Sequence, residues 1–145
     1  MKKKTAHKQL LMFIGMAVFL MFSFLPGEKA AKPQTKGESI AETAKKLEGK
    51  KYTYGGASPK EGFDPSGFVQ YVFQEALDIP LPRTVKEQAK IGTKVNRQDL
   101  EQGDIVFFKN GALESDGPTH VAIYLGEDQI IHSTKSNGVA ITKLE

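Results

Sequence analysis

The sequence predicts one α+β domain, with helices in its first half and an antiparallel sheet in its second half. Apolar residues recur at steps of three and four in the first half, as they do in amphipathic helices. From residue 105 onward, short β-rich runs alternate with tight turns, which is typical of an antiparallel meander. Helices followed by strands indicate the α+β class, and 145 residues leave room for one such domain after a targeting segment.

Residues 1–27 predict an export signal. A basic start is followed by an apolar run over residues 10–25, shorter than the roughly 20 residues that cross a bilayer comfortably. No small-x-small cleavage triplet follows directly, so a cleaved signal peptide and a retained membrane anchor formed by residues 10–25 both stay open. With either one we expect an exported protein, extracellular or associated with the cell wall, that meets the membrane only through this segment.

Composition argues against several other functions. Four of the 20 basic residues precede residue 28, where no acid lies, and the remainder has 16 basic against 17 acidic residues. No nucleic-acid-binding surface is therefore expected. The chain has no cysteine, which excludes a disulfide framework, a thiolate metal site and a cysteine nucleophile. Its aspartates show no metal-ligand spacing, so we expect neither a metal nor a cofactor.

A polar, turn-rich linker is predicted over residues 28–37, and the domain over residues 38–145. Its first helix is predicted over residues 38–48, where Ile40, Ala44 and Leu47 line one face and Gly49 is a plausible stop. A brief aromatic segment (residues 51–56) and a polar turn (residues 58–62) follow.

The central helix has the clearest start of any predicted element. Asp64 stands where an N-cap belongs, and Pro65 suits the first helical position because its missing N–H would have had no partner. The following apolar residues lie on one face of a buried amphipathic helix: Phe68, Val69, Val72, Phe73, Ala76 and Leu77.

The rest of the chain predicts one short helix and four strands. Pro80 and Pro82 require an extended segment, and Thr84 with Glu87 forms a capping box that opens a helix to about residue 91. Strands are predicted over residues 105–108, 120–125, 129–133 and 139–142, with a polar loop over residues 110–118.

The stretch Gly-Phe-Asp-Pro-Ser-Gly-Phe-Val-Gln-Tyr-Val, residues 62–72, closely resembles the signature of the NlpC/P60 cell-wall peptidases, which are papain-like cysteine hydrolases. Five further motifs match in order, at residues 52–56, 81–84, 103–108, 120–126 and 131–133. The resemblance covers nearly all of residues 38–145 and implies a papain-like fold, with N-terminal helices packed on an antiparallel sheet. The family usually continues into another strand, so a sheet without one edge strand and a truncated chain are both open.

The resemblance also implies roles for particular residues. In the family a nucleophilic cysteine stands at the position of Pro65, at a helix N-terminus that lowers its pKa. By position, His120 is the expected base and His132 the residue that orients it, and strand alternation can put both on the sheet face toward the helix. Tyr52, Asp64 and Ser66 match family positions that help to bind the substrate peptide. The competing interpretations are a core aromatic for Tyr52, a helix cap for Asp64 and a helix-surface residue for Ser66.

Pro65 carries no nucleophile, and Ser66 lies about 100° further around the helix, so its hydroxyl would miss the location of the cysteine. We therefore predict a catalytically inactive pseudo-peptidase that binds peptidoglycan stem peptides or a cell-wall enzyme, as a monomer. The alternatives are an active γ-D-glutamyl-type endopeptidase with a non-standard nucleophile, and a degraded product with no folded role. Arg83 is expected to form a pair within the protein rather than with a ligand carboxylate.

Overall fold

Helices pack on one face of a four-stranded antiparallel sheet, in the chain order that the sequence predicts. The computed structural model describes residues 34–109 and 116–145. The elements are α1 (Lys36–Lys45), β1 (Ala57–Ser58), β2 (Gly62–Phe63), α2 (Pro65–Leu77), α3 (Val85–Gln88), a 3₁₀ turn (Arg97–Asp99), β3 (Ile105–Phe108), β4 (His120–Gly126), β5 (Gln129–Thr134) and β6 (Gly138–Lys143). The predicted signal (residues 1–27) and parts of the predicted linker and polar loop lie outside the described residues. Among residues 34–109 and 116–145, no helix is long and apolar enough to cross a membrane.

Helix α1 begins at Lys36 rather than at the predicted Glu38. Thr35 caps it: the Glu38 backbone N–H donates to Thr35 Oγ1 at 3.1 Å, and the Thr35 N–H donates to Glu38 Oε2 at 2.6 Å. Thr35 and the first two helical residues lie in the predicted linker, residues 28–37, so the linker prediction is wrong at its end. The helix ends at Lys45, and turns continue to Gly49, whose φ is 82°.

Helix α2 confirms the prediction at both its start and its buried face. Asp64 Oδ1 accepts a hydrogen bond of 2.7 Å from the Gly67 N–H, and Pro65 is the first helical residue. Its first turn touches the preceding chain so closely that a Cβ on Gly67 would lie 2.2 Å from the Gly56 carbonyl oxygen. Only glycine permits this approach, which brings residues 56–57 against the start of the helix.

Two local predictions differ from the structure. The predicted turn over residues 58–62 is the connection of a hairpin, with Ala57 paired to Phe63 and Ser58 to Gly62. Helix α3 ends at Gln88 rather than near residue 91, because Gly92 has a φ of 82° and Ile91 is 48% exposed, with too little burial to hold another turn.

The large sheet has the order β3-β4-β5-β6 with all neighbours antiparallel, which confirms the predicted meander. One face packs on α1 and α2, and its buried strand residues include Val121, Ile123 and Ile131. Ala122 and Ile130 lie on the other face in a smaller cluster, as alternation along a strand requires. The buried Ser133 hydroxyl donates to the Phe63 carbonyl at 2.7 Å and so joins the sheet to the chain just before α2.

Candidate functional site

A cleft of about 480 Å³ lies at the N-terminus of α2 and brings together five of the six predicted site residues: Tyr52, Asp64, Pro65, Ser66 and His120. Its other lining residues are Tyr54, Val85, Thr119, Ser133, Thr134 and Lys135. These come from the segment before β1, the first turn of α2, helix α3 and the strands β4 and β5 with the turn after β5. Residues more than 80 positions apart in sequence therefore share one surface.

The polar part of the cleft is a cluster around the Asp64 carboxylate. Arg83 donates to both carboxylate oxygens, from Nη1 to Oδ1 at 3.0 Å and from Nη2 to Oδ2 at 2.7 Å. Arg83 Nη1 also donates to Ser66 Oγ at 3.0 Å, and the Ser66 hydroxyl donates to Asp64 Oδ1 at 3.2 Å. A bidentate arginine–carboxylate pair fixes both distance and orientation. The expected pairing of Arg83 within the protein is confirmed.

The charge of Asp64 is stabilised by this cluster. Burial acts to raise the pKa of Asp64, but the hydrogen bond and charge of Arg83, the Gly67 N–H and the Ser66 hydroxyl outweigh it and hold the pKa below 3.8. The cleft therefore contains a carboxylate that is ionised at neutral pH and already neutralised by its partner.

His120 and His132 lie side by side. His120 Nε2 is 2.8 Å from His132 Nδ1, and Thr142 Oγ1 is 3.2 Å from His132 Nε2, so the three side chains form a hydrogen-bonded row. Burial, and then the charge of His132, lower the pKa of His120 to about 4, and burial lowers the pKa of His132. Both rings are thus neutral at pH 7.

The prediction that both histidines point the same way is confirmed, but the predicted face is wrong. His120 and His132 alternate with Val121 and Ile131, which face the helices, so the histidine pair lies on the opposite face of the sheet. His120 still lines the cleft because it is the first residue of β4, at the end of the sheet. His132 lies behind it and lines an adjoining cavity of about 460 Å³, together with His120 and Thr142.

The sequence model of the NlpC/P60 family matches residues 49–145. The chain belongs to the NlpC/P60 family. Pro65 is then the first residue of α2 in an NlpC/P60 chain that contains no cysteine at any position.

Two of the relatives have names that state an activity on a glutamyl bond or on murein. The chain is 48% identical over 132 residues to a gamma-DL-glutamyl hydrolase of Bacillus subtilis. The aligned residues cover 90% of this chain and 32% of that protein. It is 42% identical over 96 residues to the murein DD-endopeptidase/murein LD-carboxypeptidase MepS of Escherichia coli, covering 66% of this chain and 48% of MepS. The chain thus spans between about a third and about half of the length of these two relatives.

Solved structures of NlpC/P60 domains share the fold. The NlpC/p60 domain of the peptidoglycan hydrolase SagA superposes with a TM-score of 0.67 at 32% identity, covering 74% of this chain and 89% of that domain. An NlpC/P60 protein from Bacillus cereus gives a TM-score of 0.70 at 31% identity, covering 78% of this chain and 36% of its own. The helices and antiparallel sheet are therefore those of the papain-like NlpC/P60 domain, as the sequence predicted.

Three polar residues that form hydrogen bonds beside this NlpC/P60 site were not predicted from the sequence: Thr142, Gln70 and Gln88. Thr142 was detectable in principle, because strand alternation puts it on the same face as Ala140, the residue paired with His132. Gln70 and Gln88 gave no such signal, since glutamines in helices are usually solvent-exposed. Among residues 34–109 and 116–145, no three His, Asp or Glu side chains lie close enough together to hold a metal ion.

Proposed function

We propose that this chain is an exported, catalytically inactive NlpC/P60 protein that binds peptidoglycan stem peptides in the cleft at the start of α2. The observation that carries the proposal is Pro65, which lines the same cleft as His120 in a chain without cysteine. The named relatives support the ligand class, because they are described as endopeptidases and peptidoglycan hydrolases.

The chemistry at Pro65 supports the absence of hydrolysis. A cysteine at a helix N-terminus attacks as a thiolate, which the helix dipole and the free N–H groups stabilise. Proline offers no nucleophile, and its nitrogen has no hydrogen to donate. It nevertheless keeps the helix start intact, because φ near −65° is the conformation that the first helical position requires. The substitution therefore removes the reaction while leaving the cleft in place.

Ser66 is a poor substitute for the missing thiol. Its hydroxyl hydrogen is donated to Asp64 Oδ1, and its oxygen accepts from Arg83 Nη1. A serine nucleophile needs a general base on its hydroxyl, and the partner of this hydroxyl is a carboxylate held ionised by Arg83, with its pKa below 3.8. This arrangement favours a binding role for Ser66 over the alternative of an active endopeptidase with a serine nucleophile.

The groups that remain suit a peptide ligand. Asp64 and Ser66 line the cleft with a carboxylate and a hydroxyl that Arg83 holds in place, and Tyr52 and Tyr54 supply aromatic surface beside them. Tyr54 is 89% exposed, which leaves its ring available to cover a bound chain. Lys135 adds a cation in the same cleft that can pair with a ligand carboxylate. A protein that binds peptidoglycan works in the cell envelope, which agrees with the export signal predicted over residues 1–27.

The test is to restore the nucleophile. Purified Pro65→Cys protein is incubated with peptidoglycan sacculi, and soluble muropeptides are measured beside the wild type and Pro65→Ala. We expect release by Pro65→Cys alone, and its loss when His120→Ala is added, because His120 is the expected base. Folded Pro65→Cys protein without release would contradict the proposal that the family machinery is otherwise retained. Release by the wild type would favour the active-enzyme alternative.

A further inference from the structure

The segment that carries Arg83 is held in an unusual way. It runs through Pro80, Leu81 and Pro82, and the two prolines have no backbone N–H to donate to a neighbouring element. It must therefore be fixed mainly through its carbonyl oxygens and side chains. Leu81 is buried in the core, which anchors one side chain but leaves the orientation of the backbone open.

Two side-chain amides bind those carbonyls. Gln70, on α2, donates from Nε2 to the Leu81 carbonyl at 2.7 Å. Gln88, the last residue of α3, donates from Nε2 to the Pro82 carbonyl at 2.8 Å and to the Ser66 carbonyl at 3.0 Å. Both hydrogens of the Gln88 amide are thus used, and they join the first turn of α2 to the residue just before Arg83.

Gln88 is buried, and among the described residues only the donor side of its amide is paired. The side chain is only 1% exposed, and its Oε1 is buried with no hydrogen-bond partner in the described residues. An unpaired buried acceptor costs free energy that an apolar side chain of the same shape would avoid. The short helix α3 places Gln88 beside the segment that precedes Arg83. This helix begins directly after Arg83, at the Thr84–Glu87 capping box.

We propose that Gln70 and Gln88 are positioning residues of the ligand cleft. Their amides, together called the amide clamp, fix residues 81–82 against α2 and thereby hold the Arg83 guanidinium on Asp64 and Ser66. The clamp lies behind the cleft: neither glutamine lines it, whereas Asp64 and Ser66 do. The consequence for ligand affinity rests on the proposed function, but the effect on the Arg83–Asp64 pair does not.

The test replaces the amides with a side chain of similar length that has no donor. Gln88→Met and Gln70→Met are compared with Val72→Ala, which removes buried α2 volume without touching the clamp. The pKa of Asp64 is measured by carboxyl ¹³C NMR, the melting temperature by circular dichroism, and binding of a synthetic peptidoglycan stem peptide by calorimetry.

We expect Gln88→Met to raise the pKa of Asp64 toward 3.8 and to weaken peptide binding at least tenfold, because Arg83 no longer holds its place. Gln70→Met should raise the pKa of Asp64 and weaken peptide binding by smaller amounts, because Gln70 binds one carbonyl whereas Gln88 binds two. Val72→Ala should lower the melting temperature while leaving the pKa of Asp64 unchanged.

An unchanged Asp64 pKa in a folded Gln88→Met protein would overturn the proposal. If Gln88→Met does not fold, Gln70→Met decides in its place, and the same unchanged pKa would overturn it. A wild type that fails to bind the stem peptide would contradict the proposed function alone, because the NMR comparison still reports whether the clamp positions Arg83.

Discussion

Replacing Arg83 with methionine tests the polar cluster of the cleft directly. Methionine keeps much of the aliphatic stem but removes every donor. The lost bonds are the two to the Asp64 carboxylate, at 3.0 and 2.7 Å, one of 3.0 Å to Ser66 Oγ and one of 3.5 Å to the Gly56 carbonyl. Asp64 keeps the Gly67 N–H and the Ser66 hydroxyl as partners.

The expected destabilisation is about 2 kcal/mol at pH 7. Hydrogen bonds to charged groups contribute roughly 1.5–3 kcal/mol each when buried, and breaking a fully buried ion pair costs about 3–5 kcal/mol. The Arg83 side chain is 37% exposed and that of Asp64 is 15% exposed. Water can therefore replace some of the hydrogen bonds that the substitution removes from Asp64. Exposed pairs contribute only about 0–1 kcal/mol, and a half-buried bidentate pair falls between these limits.

The same variant has a pH signature. In the folded protein the pKa of Asp64 lies below 3.8, so the stability that its ionised form contributes is present above 3.8 and is lost as pH falls through the folded pKa. The difference between wild type and Arg83→Met should therefore be largest at neutral pH and shrink in acid below 3.8.

Urea unfolding followed by circular dichroism, at pH 7 and in an acid series, measures this difference. Lys86→Met, which removes an exposed cation from the neighbouring helix α3, is the matched control and should stay within about 0.5 kcal/mol of the wild type. A difference below about 0.5 kcal/mol for Arg83→Met at pH 7, or one that does not shrink in acid, would show that the Arg83–Asp64 pair does not stabilise the fold.

Three further outcomes are expected, two from single substitutions and one from a two-residue turn. Ser133→Ala removes the buried bond to the Phe63 carbonyl and should lower the free energy of unfolding by about 1–2 kcal/mol in urea titrations; no change would show that this bond is dispensable. The folded pKa of His120, about 4, lies below 6.5, so the unfolded chain takes up its proton first and stability falls as pH drops from 6.5 toward 4. His120→Asn should flatten that part of the pH profile, and an equally steep profile would argue against a buried neutral His120. Glu127 and Asp128 connect β4 and β5 with φ of 53° and 55°, as in a type I′ turn. Changing them to Asn-Gly, the pair that type I′ turns prefer, should raise the melting temperature by relieving about 1 kcal/mol of left-handed backbone strain, and a lower melting temperature would contradict this turn assignment.

Local signals predicted much of the fold. The Asp64 cap, the Pro65 start and the apolar spacing after it lie within a few residues of one another, so the sequence specifies α2 without tertiary information. The four-stranded meander was predictable for the same reason, since tight turns connect most of its strands. The Thr35–Glu38 capping box is an equally local signal, but it was not recognised as the start of α1 because Thr35 lies in the predicted linker.

The parts of the site that were not predicted depend on distant contacts. Arg83 and Asp64 are 19 residues apart in sequence, and Gln88 and Ser66 are 22 apart. Their hydrogen bonds therefore depend on how the chain after α2 packs back against the start of that helix. The β1–β2 hairpin has two residues in each strand, too few to show an alternating pattern. The face of the histidine pair was mistaken because period-two alternation divides residues between two faces without saying which face the helices cover.

The proposed function is that the cleft binds peptidoglycan without cutting it. Its most direct test is to incubate the purified protein with sacculi and then measure pelleted protein and soluble muropeptides in the same sample. We expect the protein to pellet with the sacculi, Arg83→Met to pellet less, and no muropeptides to be released. Muropeptides released by the wild type, and abolished in a His120→Ala control, would contradict it.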